Sequence, residues 1–340
     1  MNDKRTGKGT GKGTGLTRRH YLAASGAGIL AAGMGIIRPA SAATTVRQGY
    51  QTNMWGMPTY YLMRSGLLEK HGLKVEEFGV PSGNLTMQQM VARQVDLGTY
   101  AGPSFCIGHN KGGLVAIAVI ENVGKTAAVI VRKDLGITKA ADLKGKKIAN
   151  QTGSSIGNIF VDQFGPKNGL NKGDYQEVRM NVNDMVAALA AKTVDAMVNI
   201  EPYNAIAVAD GLGVEVGNLA ESDPVPVFMA ATPDFVKEHP DAVVAYLKAW
   251  IEVTKDFKEK PKKVAETIYS FFKTKGYKMS QDTFETALSR IEVNPGFPDN
   301  MDAYLKPHAE VLLKAKKISA IPDFKVALRP EFMKKAQAGS

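Results

Sequence analysis

Lys146-Lys147-Ile148-Ala149-Asn150-Gln151-Thr152-Gly153-Ser154-Ser155 is the stretch that decides how the chain is read. An apolar strand runs into a glycine and two serines, and a helical pattern follows. A strand that ends in Gly-Ser-Ser at a helix start gathers unpartnered N–H groups and two hydroxyls at one point. Such a point suits an anion, because first-turn N–H groups have no helical acceptor and the helix dipole is positive there. Gly153-Ser154-Ser155-Ile156-Gly157 also matches G-x-S-x-G, so a serine hydrolase using Ser155 is the competing reading. That chemistry needs a downstream acid and a histidine, for which His239 and His308 are available.

Working outward, the stretch has a counterpart one half-length earlier. Gln51-Thr52 answers Gln151-Thr152 at an offset of 100, and Ala92-Arg93-Gln94-Val95-Asp96 answers Ala191-Lys192-Thr193-Val194-Asp195 at 99. Pro103, Gly112 and Val115 answer Pro202, Gly211 and Val214 at the same 99. Such near-constant offsets predict two lobes of similar topology. Strand and helix patterns alternate within each half, which implies α/β lobes, doubly wound around mostly parallel sheets, with a ligand cleft between them. Expected strands include Val46–Gln51, Leu73–Val80, Val95–Gly98, Leu114–Ile120 and Ala127–Val131, and one helix runs from Pro58 to His71-Gly72. Lobe 1 is expected over 43–128 and 232–340, the latter with helices after Pro233, and lobe 2 over 129–231. Hinge crossings are expected near Val123–Val131 and Pro224–Ala231. Among the later helices, Asp241–Phe257 has Val244, Leu247 and Ile251 on one face, with Val243 and Trp250 at its edge.

Ligands in open α/β sheets sit beyond the carboxyl ends of the strands. The repeat therefore nominates four loops: Gln51–Trp55, Gly98–Phe105, Gly153–Ser155 and Asn199–Tyr203. Gly153, Ser154 and Ser155 are expected to hold an anionic group, with further hydrogen bonds from Gln51, Thr52, Thr99 and Asn199. Trp55, Tyr100 and Tyr203 would supply aromatic surface. Glu201 would favour a ligand amine or hydroxyl donor, so a zwitterion such as taurine would satisfy both ends.

The formal charge of +10 comes mostly from residues 1–42, which hold seven Lys/Arg against one Asp and so carry +6. With only +4 on the remainder, the basic balance points to targeting, not to nucleic acid. Thr17-Arg18-Arg19-His20-Tyr21-Leu22 precedes the small-residue apolar run Ala23–Ile37, and Ala40-Ser41-Ala42 supplies the small side chains for cleavage. The paired arginines resemble a twin-arginine export signal, with Tyr21 in place of the more usual Phe, and the expected location is the periplasm with cleavage near Ala42. The run is too short for a good membrane span. A single cysteine, Cys106, excludes an internal disulfide framework and reads as a small buried hydrophobe. The five histidines show no metal-ligand spacing, so no metal or cofactor is expected.

Several segments resemble the periplasmic solute-binding components of ATP-driven importers for sulfonates, taurine, nitrate and thiamine-precursor pyrimidines. They are Arg64-Ser65-Gly66-Leu67-Leu68-Glu69-Lys70-His71-Gly72-Leu73, Val95-Asp96-Leu97-Gly98, Asp142-Leu143-Lys144-Gly145-Lys146-Lys147-Ile148-Ala149, Gly153-Ser154-Ser155, and Val194-Asp195-Ala196 leading to Glu201-Pro202-Tyr203. The resemblance covers residues 46 to about 250. It implies a type II binding-protein fold, a ligand taken up by hinge closure, delivery to a membrane permease and no catalysis. It also implies that the Gly-Ser-Ser helix start takes the ligand's anionic group. Ile200 stands where such proteins often carry Trp. The expectation is a monomer that binds a small organic anion, a sulfonate or taurine-like molecule ahead of an aromatic carboxylate, nitrate or a pyrimidine. A lobe pair that docks a membrane receptor is a third reading.

Overall fold

Strand β1 (Thr44–Gln51) begins partly exposed and ends fully buried, because its carboxyl half lies inside a sheet. This computed structural model describes residues 43–339, so the export-signal reading of residues 1–42 lies outside the described residues. The further strands are β2 (Leu73–Val80), β3 (Leu97–Ala101), β4 (Val115–Asn122), β5 (Ala127–Arg132), β6 (Lys147–Asn150), β7 (Gln176–Arg179), β8 (Ala196–Ile200), β9 (Gly213–Asn218), β10 (Pro226–Ala231) and β11 (Glu292–Gly296). They form two sheets, in the orders β11-β4-β10-β3-β1-β2 and β7-β6-β8-β5-β9.

Both sheets are mixed, where the alternating pattern predicts mostly parallel ones. β10 runs antiparallel to β3 and β4, β5 antiparallel to β8 and β9, and β11 antiparallel to β4. The reason is how the chain changes sheets. It leaves β4 at its carboxyl end and enters the second sheet as β5 through the short turn Gly124–Thr126. It returns from β9 to β10 through a turn at Leu219–Glu221. A strand that enters from the edge where its new neighbours end must run against them.

The repeat is visible as duplicated geometry. Leaving aside β11, each sheet has the same order, with the crossing strand β10 or β5 in the matching place. Asp96 accepts the Arg47 N–H at 3.0 Å and Asp195 accepts the Lys147 N–H at 2.9 Å, so each Val-Asp pair clips the start of the neighbouring strand. Arg93 (φ 59°) and Lys192 (φ 58°) both take the left-handed backbone that ends the preceding helix. Gly56 and Gly157 each pack on the carbonyl of the glutamine at the end of the first strand of their half, Gln51 closing β1 and Gln151 just after β6. A Cβ there would lie 1.9 Å from Gln51 O and 2.4 Å from Gln151 O.

Two helix expectations change. The segment Pro58–Gly72 is two helices, Met57–Arg64 and Leu67–Lys70, separated by Ser65-Gly66. Gly66 has φ 77° and Ser65 Oγ accepts the Leu67 N–H at 3.2 Å, which turns the chain. Helix Pro240–Glu259 buries Val243 and Trp250 completely, so its buried stripe is wider than one face of aliphatics. The Trp250 indole donates to Asn294 O at 2.8 Å, tying the helix to β11. Helix Met301–Lys314 packs on Gly102–Gly112 beside the first sheet, whereas Gln281–Ser289 packs on Tyr203–Ala209 beside the second. The late helices therefore touch both halves.

Gly56→Ala is expected to cost about 2 kcal/mol or more in urea unfolding, since backbone opposes backbone and no rotamer relieves the clash. Gly66→Ala has open space and only left-handed strain, so it is expected to cost about 1 kcal/mol.

Candidate functional site

Two helix starts meet where the strand ends of the two sheets face each other. Helix Gly102–Gly112 follows β3 with Pro103 in its first turn, which leaves Ser104 just inside the start. The helical run 155–167 follows β6, with a wider π turn at Phe160–Phe164. Ser104 Oγ and Ser155 Oγ lie 3.3 Å apart, one from each side. Ser154 is the N-cap of its run, and its hydroxyl accepts the Gly157 N–H at 3.1 Å. Among the described residues the N–H groups of Ser155 and Ile156 have no backbone acceptor.

Around this pair lies a small void lined by Gln51, Trp55 and Ser104 from one side and by Ser154, Ser155 and Ile200 from the other, together with short polar side chains. None of its lining residues is charged. It leaves only about 30 Å³ for a water-sized sphere, roughly a tenth of the lower limit for small-molecule pockets. The cleft is thus drawn shut, and an organic ligand enters only if the halves part.

The structure brings Gln51, Trp55, Ser154 and Ser155 to this void and puts Gly153 in an adjoining outer groove. Six other nominated residues do not line it. Thr52 extends β1 through its N–H to Val80 O. Thr99 is buried with its hydroxyl unpartnered, as is the hydroxyl of the fully buried Tyr100. Asn199 donates to Val182 O at 2.9 Å and accepts from the Ile200 N–H at 2.8 Å, so it shapes the wall from behind. Tyr203 shares a hydrogen bond with Tyr277 at 2.9 Å. Glu201 accepts the Ala205 N–H at 2.9 Å and faces Arg290 at 3.4 Å. Ser104 was legible only as part of a nominated loop. The signal that could have singled it out is a serine just after the proline that opens a helix.

Thr126, at the crossing into the second sheet, joins the two sides. Its hydroxyl accepts the Trp55 indole N–H, and its carbonyl accepts the Glu201 N–H at 3.0 Å and the Asn204 amide at 3.1 Å. At the return crossing Asp223 accepts from the Tyr304 hydroxyl at 2.9 Å and from the Val225 N–H at 2.7 Å, and it faces His308 at 3.2 Å. Burial opposes its ionisation, but the His308 hydrogen bond, the Val225 N–H, the His308 charge and Tyr304 outweigh it and hold its pKa below the ordinary value. The stability this network adds is present above the usual carboxylate range and lost as pH falls through the lowered pKa. His308 is therefore engaged at the crossing, and no histidine lines the void beside Ser155. Burial also pushes the Cys106 thiol up to about 12, consistent with a packing role. Among the described residues no group of three or more His, Cys, Asp or Glu could hold a metal ion, and no helix is long and apolar enough to cross a membrane.

The profile of the NMT1/THI5-like family matches residues 53–264, more than half of the chain. The chain belongs to this family. A Brucella abortus protein described as a binding protein is 32% identical over 203 residues, covering 59% of this chain and 58% of its own length. The match thus spans less than two thirds of that curated relative. A Bacillus subtilis protein described as binding aliphatic sulfonates is 26% identical over 271 residues, covering 79% of this chain and 80% of its own. A Schizosaccharomyces pombe protein named 4-amino-5-hydroxymethyl-2-methylpyrimidine phosphate synthase is 22% identical, over 71% of this chain and 73% of its own. Among solved structures, the alkanesulfonate-binding protein of Xanthomonas axonopodis pv. citri bound to MOPS superposes with a TM-score of 0.72 at 18% identity, covering 84% of this chain and 98% of that one. The α/β fold with two mixed sheets is therefore that of periplasmic binding proteins of this kind.

Burial raises the Glu201 pKa to about 7, with the Ala205 N–H and Arg290 acting against it. A carboxyl raised in the fold binds its proton more tightly there than in the unfolded chain. Its ionisation therefore costs stability that is fully present at low pH and is lost as pH rises from the unfolded value through about 7. Glu201→Gln keeps an acceptor for Ala205 without the charge. It is expected to match the parent at pH 4 and exceed it by about 1–3 kcal/mol at pH 8, read by urea unfolding at both values.

Proposed function

We propose that the protein is the extracytoplasmic substrate-binding component of an ABC importer, located in the periplasm, where it captures a small organic anion by hinge closure and passes it to a membrane permease. The observation that carries this reading is the Ser104–Ser155 contact between two helix starts in a void with no charged side chain. Free N–H groups at the Ser155 start and hydroxyls from both sides converge there, and such donors hold an anion well when water is excluded. Nothing in the lining would repel a negative group. The relatives described as binding proteins support the same class.

Within that class the lining favours a sulfonate. Three equivalent oxygens can accept from donors on both sides at once, while the Trp55 ring and Ile200 offer apolar contact to an alkyl stem. Taurine fits less well than a plain alkanesulfonate, because its ammonium would find no carboxylate. Glu201, the carboxylate nominated for it, is occupied by Ala205 and Arg290. Hydrolysis at Ser155 lacks a base, since its hydroxyl meets Ser104 and not a histidine. The same lining holds no acid, base or thiol for a synthase-type reaction.

Thermal unfolding of the protein against ethanesulfonate, taurine, nitrate, benzoate and a pyrimidine tests the reading. Ethanesulfonate at 100 times its Kd is expected to add about 2.7 kcal/mol, a rise of a few degrees. Ser104→Ala and Ser155→Ala are each expected to weaken its binding about tenfold or more. A best response to benzoate or the pyrimidine would change the ligand class, and ester turnover lost in Ser155→Ala would replace binding with hydrolysis.

A further inference from the structure

The void at the two serines adjoins a much larger groove of about 1330 Å³, and the two share Ser82, Asn84, Gln151 and Ser154. The charge character changes sharply between them. The inner void has no charged lining residue, whereas the groove is lined by Lys111, Arg179, Lys316 and Lys317 and by no carboxylate. Some cations elsewhere pair closely, such as Arg47 with Asp96, Lys70 with Glu252, Arg132 with Asp134 and Lys260 with Asp256. None of the four groove cations has an ion pair or a side-chain hydrogen bond to a carboxylate among the described residues. The acid nearest in sequence to Arg179, Glu177, is taken up by Asn150 at 2.9 Å and Thr152 at 2.7 Å. Asp162 feels the charge of Lys317, but it does not line the groove.

The cations come from both halves and are held in place. Lys111 ends the helix Gly102–Gly112, and Arg179 ends β7. Lys316 and Lys317 form the cap of helix Met301–Lys314, where Lys316 adopts φ 55° and the Lys317 N–H returns to Leu312 O at 2.9 Å. Asn110 fastens this cap to the Lys111 helix by accepting the Ser319 N–H at 3.0 Å and donating to Ala320 O at 3.2 Å. Lys317 then reaches across the cleft: its Nζ lies 3.7 Å from where a Cβ on Gly153 would stand. The left-handed turn at Lys316 thus sets the direction in which its neighbour Lys317 leaves the pinned cap, toward the loop that opens the anion site.

We propose that this groove is a second anion subsite and that the ligand is a two-headed organic dianion. One head sits between the two serines and the other is held among Lys111, Arg179, Lys316 and Lys317. The inference rests on the anion reading of the inner void and names the substrate class more narrowly. The inner head is bound by neutral donors in a dry site, so it is insensitive to salt. The outer head is bound by exposed charges, so its share is screened as ionic strength rises.

Calorimetric titration of the full chain with ethanesulfonate and with sulfoacetate, 3-sulfopropanoate and 4-sulfobutanoate decides the matter. At low salt at least one sulfocarboxylate is expected to bind tenfold or more tightly than ethanesulfonate, and the gain should shrink several-fold in 0.5 M salt. The double variant Arg179→Gln with Lys317→Gln is expected to lose that gain while keeping the parent's affinity for ethanesulfonate. Equal affinity for ethanesulfonate and all three dianions overturns the second subsite and leaves the inner site standing. A gain that survives in the double variant overturns it as well. Binding of none of the four overturns both readings.

Discussion

The arrangement depends on backbone N–H groups that their own helices leave unsatisfied. Two helix starts are brought nose to nose, and the donors there have only each other's hydroxyls, water or a ligand to meet. Gly157 lets the turn after β6 fold tightly onto the Gln151 carbonyl beside the Ser155 start, and Gly56 does the same on the Gln51 carbonyl before helix Met57–Arg64. A side chain at either position would push its turn off that carbonyl. The strand end and the glycine are thus used once in each half, but the meeting serines break the repeat: Asn53 is the cap in the first half, and Ser104 follows β3.

The crossings decide whether that device can open. Thr126 binds the Trp55 indole, the Glu201 N–H and the Asn204 amide at a single residue, so the outgoing crossing senses both halves. The return crossing is anchored by Asp223, which helix Met301–Lys314 holds through Tyr304 and His308. Buried polar hubs of this type are stable only when their partners are complete, which favours discrete arrangements over gradual deformation. Glu121 departs from this rule. It is fully buried near the end of β4, neither carboxyl oxygen has a partner among the described residues, and burial raises its pKa well above the ordinary value.

The local parts of this design were legible in the sequence and the long-range ones were not. Strand-Gly-Ser-Ser-helix is a contiguous signal, and the offsets of 99 and 100 carried it to Gln51 and Trp55 in the other half. The antiparallel strands were not legible, because β5 and β10 look like any buried apolar strand and only their change of sheet reverses them. Glu201 lies in a nominated loop, but whether its carboxylate turns to a ligand or to Arg290 depends on a helix far along the chain. Ser104 faces Ser155 only once the two halves meet. Lys316 and Lys317 lie outside the repeat, so no internal symmetry pointed to them.

The separation of neutral and charged surface follows from what each region must do. Placing a lysine inside a 30 Å³ void would cost its desolvation whenever the site was empty, and an uncompensated buried charge would hold the halves apart. Neutral donors avoid that cost, since water serves them when the cleft is open and an anion serves them when it is closed. Charges placed outside in a solvated groove add attraction at longer range without that penalty. Lys317 stands at the boundary between the two regimes, rooted in the helix cap on one side and reaching Gly153 on the other. Its position relative to Gly153 changes whenever the halves part. The attraction it offers a head held in the outer groove is therefore greatest in the closed form, so a dianion that spans both regions favours closure.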